Sequence, residues 1–276
     1  MADTRRKWNS WKEFVNHCAI DEPALARGSR TGRKGFSGTD TFDEALALAR
    51  RGWLEPVADI EAQAQALSDS LADSLHTAFA VEHSRAGFVV DVGRYLSGQP
   101  DCMFQSVPIE TAKPGRIVTI LLNVAASGSV SQAAFRSRGA AIVALVSLIE
   151  STGNRCEVWV ECSSRKRTKS ATHTWSGVAC VKQAGEQLDL PVVAFALAHP
   201  ACLRRLFYSA SDGESATIRR QNGTSNGQWS AQPVDAIQVA EVGASVAFIE
   251  GMRSADSTRD WEPWILEQLT ELGLAG

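Results

Sequence analysis

Between Arg116 and Cys162 the chain passes through an apolar run, a small-residue loop, an almost wholly apolar helix and an alternating run, an order that few folds accept. Ile117 to Val124 (IVTILLNV) is nearly continuous in β-branched and apolar residues, the pattern of a strand covered on both faces in a mainly parallel sheet. Small and polar residues follow to Ser131. From Ala133 to Ser151 apolar side chains (Phe135, Ala140, Ile142, Val143, Leu145, Val146, Leu148, Ile149) surround the axis, and Thr152-Gly153 supplies a stop, which predicts a buried crossover helix. Cys156, Val158, Val160 and Cys162 then alternate with Glu157, Trp159 and Glu161, giving a strand two unlike faces. Together these pieces make a right-handed βαβ unit.

Upstream, Trp8, Trp11, Val15 and Cys18 form one stripe of a short helix starting near Asn9 or Ser10. Residues 27–35 are basic and glycine-rich and read as a linker; their spacing departs from a Walker loop and Gly35 stands where the hydroxyl belongs. Thr41-Phe42-Asp43-Glu44 starts a helix with a capping box, Gly52 ends it, and Trp53 is expected to fold back on it. Val57, Ile60, Ala64, Leu67, Leu71, Leu75 and Ala78 trace a narrow seam on a helix of about 24 residues, read as an arm packed on its own domain. Gly87 to Val92 reads as a short strand in which Asp91, set among apolar residues, serves as a structural cap.

Downstream, Thr174 to Lys182 returns as a hairpin after a basic loop at 163–169, and Val192 to Ala198 (VVAFALA) reads as another doubly buried strand. Pro200 to Tyr208 continues as a helix carrying Arg204 and Arg205. Asn222-Gly223 and Asn226-Gly227 mark tight turns in a hairpin insertion near 216–232, and Ile237 to Val242 reads as a last strand. Trp261, Trp264, Ile265, Leu269 and Leu272 line a C-terminal helix begun near Ser257 or Thr258. The expected organisation is a helical N-terminal region over 1–86 and an α/β domain over 87–276, its sheet mainly parallel and flanked by helices.

A net charge of −3 gives no bulk attraction for nucleic acid or acidic lipid, so such a role must rest on local patches. The N-terminus has no apolar segment behind its charges, and no window reaches about 18 consecutive apolar residues, so a cytoplasmic protein without membrane contact is expected. Six scattered cysteines with no C-x-x-C fit a reducing compartment, most of them as small core residues.

The apolar strand, small-residue loop, long buried helix and hairpin resemble the opening of a von Willebrand factor A-type domain. In that family the loop reads D-x-S-x-S and holds a divalent metal; the corresponding residues here are Asn123, Ala125 and Ser127, with Ser129 beyond them. Asn123 offers a neutral oxygen and Ala125 none, so the resemblance implies an A-type domain without metal. A second resemblance rests on Phe36-Ser37-Gly38-Thr39, Phe42-Asp43-Glu44-Ala45, Arg51-Gly52-Trp53 and Val90-Asp91-Val92-Gly93-Arg94-Tyr95-Leu96-Ser97-Gly98-Gln99-Pro100. These are similar to an uncharacterised family of phage, prophage and bacterial proteins, over roughly Phe36 to Tyr208, which implies a context and no reaction.

Several chemistries are disfavoured by spacing. Ser127 lacks the G-x-S-x-G elbow, the histidines show neither H-x-x-x-H nor H-E-x-x-H, and His173 and Cys180 fall on opposite faces of one strand. Asp212 and Glu214, among Ser and Gly, read as solvated. No catalytic residue and no cofactor is assigned. The expectation is a binding or assembly module with a protein partner. The alternative is a nucleic-acid binder using Arg165, Lys166, Arg167 and Lys169, together with Arg5, Arg6 and Lys7 beside Trp8 and Trp11.

Overall fold

The computed structural model describes residues 2–20, 34–71, 79–108, 116–126, 128–167, 172–222, 246–252 and 259–275. Strand β1 (Ala2–Trp8) leads into helices α1 (Trp11–Cys18), α2 (Lys34–Ser37), α3 (Phe42–Arg51) and α4 (Val57–Leu71). Next come β2 (Phe79–Ser84), β3 (Val89–Val90), α5 (Val92–Leu96) and β4 (Met103–Pro108), then β5 (Ile117–Asn123), α6 (Gln132–Ser151), β6 (Arg155–Arg167) and β7 (Thr172–Lys182). Helix α7 (Leu190–Ala198), a π-helical stretch (Cys202–Phe207), α8 (Tyr208–Asp212), α9 (Ala216–Asn222), β8 (Val246–Ile249) and α10 (Glu262–Glu271) complete the order.

Five strands form one mixed sheet in the order β1-β7-β6-β5-β8. β6 and β8 flank β5 in parallel, β7 returns antiparallel to β6, and β1 lies parallel to β7. The predicted βαβ unit is present: β5 is buried from Val118 onward, α6 is capped by Ser131 and stopped by Thr152 and Gly153, and Cys156, Val158, Val160 and Cys162 share the inner face. That face and helices α1, α3, α4, α6, α7 and α10 enclose the main core, where each buried Leu, Ile or Phe contributes about 1.5–3 kcal/mol. Leu121, Trp159, Val178 and Cys180 make a smaller cluster on the other face. Helix α6 is long and apolar enough to cross a membrane, but 72% of its most apolar window is buried inside the protein, as a crossover helix requires.

Several elements differ from expectation, among them a helix over Ala216–Asn222 where the hairpin insertion was expected to begin, and the strands Phe79–Ser84 and Met103–Pro108, which were not expected. Val192 to Ala198 belongs to a helix: Asp189 caps it by accepting from the Val192 N–H, Pro191 fits the first turn, and a segment apolar all round suits a buried helix as well as a buried strand. Residues 2–8 form a strand where none was predicted. Their polar alternation hides it, because an edge strand is held by backbone pairing, here in register from Ala2 opposite His173 to Trp8 opposite Ala179. The seam from Val57 is helical through Leu71 and strand by Phe79, so the helix is shorter than predicted. The predicted strand at 237–242, the turns at Asn226-Gly227, and most of the 27–35 linker lie outside the described residues; β8 at 246–249 takes the last place in the sheet.

Candidate functional site

The carboxyl end of β5 is the natural ligand position in such a sheet, because neighbours on its two sides are reached by different connections. Asn123 is fully buried there, and its side-chain oxygen accepts from the Ala125 N–H at 2.8 Å, so it ties off its own loop. Ala125 is buried, Ser129 is at the surface, and Ser127 lies outside the described residues. Among the described residues of this loop none is anionic, and the Asn123 oxygen is neutral and turned to the backbone, a poor match to a divalent cation. Among the described residues no three His, Cys, Asp or Glu side chains group to hold a metal ion.

Three buried arginines lie on α6 and the π-helical stretch, and the first of them reaches this loop. Arg138 on α6 donates to the Asn123 carbonyl at 3.3 Å, and Arg204 and Arg205 ride on the π-helical stretch, a rare geometry that turns consecutive side chains to new directions. Arg204 lies 4.2 Å from the Phe36 ring and donates to the Phe36 carbonyl at 2.6 Å; Arg205 donates to the hydroxyl and carbonyl of Thr39. Gly38 has φ +80°, and a Cβ there would meet Pro200 at 2.7 Å. The Phe36-Ser37-Gly38-Thr39 motif is thus a clasp around two arginines. Trp53, at the end of the next motif, packs edge-on to His199 at 4.5 Å, and burial pushes that histidine down to about 4, so it stays neutral.

The basic elements lie on β6 and β1, with β7 between them in the sheet. Arg165, Lys166 and Arg167 belong to β6, paired with Thr174, His173 and Thr172, so the expected loop is largely strand; Lys169 lies outside the described residues. Arg5 and Lys7 alternate with Arg6 along β1 and share one of its faces. Lys7 stands 5.0 Å over the Trp159 ring, while Trp8 and Trp11 are core residues. Arg6 points to the other face and forms a bidentate pair with Glu214, both contacts at 2.7 Å. Glu214 is therefore not solvated: it is buried and also accepts from the Trp175 indole at 3.1 Å, and Asp212 is buried too. A lone acid in a Ser/Gly stretch carried no signal of this, since its partner is 208 residues away.

Asp91 caps α5 by accepting from the Arg94 N–H at 3.1 Å, as predicted. It is half-buried, and His83 stands 3.0 Å from it, a neighbour that sequence spacing did not reveal. The backbone of Arg94 first, then His83, hold its carboxyl below the usual range. Around it the small sheet β2-β4-β3 and α5 present Phe88, Val89, Val90, Val92, Tyr95 and Leu96 to solvent, each 43–78% exposed.

Two further features escaped sequence reading. Glu161, opposite Asn123 in the β5/β6 register, is fully buried, and neither carboxyl oxygen makes a hydrogen bond. Burial pushes it up to about 8, although the Ser163 and Ser176 hydroxyls, short of hydrogen-bond geometry, favour the charged form. A cavity of about 280 Å³ opens at the carboxyl end of β8, walled by Glu250, Arg259, Trp261, Trp264, Glu267 and Gln268 among others. Its walls come from a strand end and a helix start that only the fold brings together.

The fold and these surfaces define a mixed α/β protein with a mostly parallel five-stranded sheet flanked by helices. The chain belongs to a family described as a domain of unknown function (DUF7192), whose model matches residues 2–276. No curated protein and no solved structure matches it.

Proposed function

We propose that the chain is a non-enzymatic assembly module of phage or prophage type, built on a metal-less A-type α/β half and acting in the reducing cytoplasm, and that it assembles by docking a second copy of itself. The observation that carries this is the exposed apolar surface of Phe88 to Leu96. Val92, Tyr95 and Leu96, spaced i, i+3 and i+4 on α5, turn one apolar face to solvent at 63–78% exposure, and Val89 and Val90, consecutive in β3, leave apolar side chains exposed on both of its faces; exposed apolar clusters of this kind mark interaction surfaces. Both charge signs border it: Arg85 stands 3.5 Å from the Asp101 carboxylate and Arg94 donates to the Asp101 carbonyl, and a two-fold contact can exchange the Arg85–Asp101 pair between copies.

Sedimentation velocity tests it. A concentration-dependent dimer that Val90→Glu with Tyr95→Glu converts to monomer is the expected result. A monomer at ~100 μM overturns self-assembly. The metal-less part is supported by the Asn123 contact; micromolar Mn²⁺ binding lost in Asn123→Ala would count against it.

A second reading, a nucleic-acid binder, is favoured by the sheet order, which brings the basic stretches of β1 (Arg5 to Lys7) and β6 (Arg165 to Arg167) to either side of β7. It requires affinity for single-stranded DNA that falls steeply with salt and with charge removal in β6. Salt-independent binding eliminates it.

A further inference from the structure

The cavity at the end of β8 has an unusual lining. Two indoles, Trp261 and Trp264, meet edge to face with centroids 5.5 Å apart, and two exposed carboxylates, Glu250 and Glu267, share the wall with the Gln268 side chain. The remaining charge among the described lining residues is Arg259, whose guanidinium carbon lies 5.2 Å from the Trp261 ring centroid. Indole faces attract cations through the ring quadrupole, and among the described lining residues two carboxylates stand against one guanidinium, an excess of negative charge. Arg259 is exposed, so it holds that ring from the solvent side and can leave without uncovering the core.

We infer that this pocket binds a small organic cation of the guanidinium or alkylammonium class, and that Arg259 is the chain's own stand-in for it. The cation's charge is met by Glu250 and Glu267, its apolar or planar body by Trp261. The volume suits a ligand on the order of ten non-hydrogen atoms, the size of a free diamine or amidine or of one basic side chain of a peptide. The location agrees with the rule that open α/β sheets take ligands outside the carboxyl ends of their strands. The inference is independent of self-assembly through Phe88 to Leu96, which lies on other elements.

Calorimetry and indole fluorescence on the full chain test it, with agmatine as the cation, a doubly capped Arg tripeptide as the side-chain form, and benzoate as the anionic control. Saturable agmatine binding is expected, weakened about fivefold or more by Glu267→Gln and strengthened several-fold by Arg259→Ala, which vacates the ring. Both substituted residues are exposed, so circular dichroism should be unchanged. Tripeptide binding of similar strength identifies a protein side chain as the ligand; agmatine binding alone identifies a free small cation. No saturation by ~20 mM agmatine in either the unmodified chain or Arg259→Ala overturns the inference, as does benzoate binding that Arg259→Ala abolishes.

Discussion

Arg6 and Glu214 form a bidentate ion pair across 208 residues, with Nε and Nη2 each 2.7 Å from a carboxylate oxygen. The contact fastens the edge strand β1 to the segment that follows α8, and the Trp175 indole donates to the same carboxylate. Arg6 is raised above its ordinary value, chiefly by the hydrogen bond to Glu214.

Glu214→Ala removes the carboxylate that accepts from both Arg6 and the Trp175 indole and should cost about 1–3 kcal/mol, whereas Arg6→Ala, on the half-exposed side, should cost less, about 1 kcal/mol. Urea denaturation of both single variants and the double variant measures the coupling; purely additive losses would show that the pair contributes nothing as a pair.

Glu161 makes stability fall with pH. Its folded value near 8 lies above the ordinary 4.5, so between those limits the folded chain holds a proton that the unfolded chain has lost. The contribution is complete below pH 4.5 and is lost as pH rises to about 8, with a slope approaching ~1.4 kcal/mol per unit. His199, depressed from 6.5 to about 4, acts in the opposite sense and only below pH 6.5, so the window from 6.5 to 8 isolates Glu161. Glu161→Gln should flatten the denaturation midpoint across that window; an unchanged slope would falsify the assignment.

Gly139 on α6 is a contact point with α7. A Cβ there would meet the Ala198 Cβ at 2.7 Å, below any real contact. Gly139→Ala should therefore destabilise by about 1–2 kcal/mol even though alanine is the better helix former by about 1 kcal/mol. Adding Ala198→Gly should recover part of the loss. A more stable Gly139→Ala protein in thermal melts would contradict the close approach.

Thiol labelling should divide the six cysteines. Cys18, Cys156, Cys162, Cys180 and Cys202 are buried and Cys102 is partly exposed. Burial pushes Cys156 and Cys180 up to about 12. At pH 8 a disulfide reagent should modify Cys102 rapidly and the others only on unfolding, as deprotonation and access both require. Two or more fast thiols in the native chain, or none, would count against this burial pattern.

Legibility in the sequence followed the physics of each element. β5, α6, β6 and β7 could be read because burial on one or two faces imposes a periodicity on consecutive residues, and the caps at Thr41, Asp91 and Thr152 because capping is local. α7 was misread because a short segment apolar all round has no period to distinguish helix from strand. β1 was missed because parallel pairing at an edge needs no apolar side chains. Glu161 stood in plain view as the polar alternate of a strand, but its burial depends on what covers that face. The cavity could not be read at all, since Glu250 and Trp264 converge only through tertiary packing.

The pairing of β1 with β7 has a cost in time. Ala2 faces His173, so during synthesis the edge strand must wait for residues made roughly 170 positions later, about 10–30 s at ordinary elongation rates. Throughout that interval an unpaired strand bearing Trp8 is available to anything else with a free edge. Expression conditions that slow elongation, or a bulky fusion at the strand's own end, should therefore act on yield more strongly than on the stability of the finished fold.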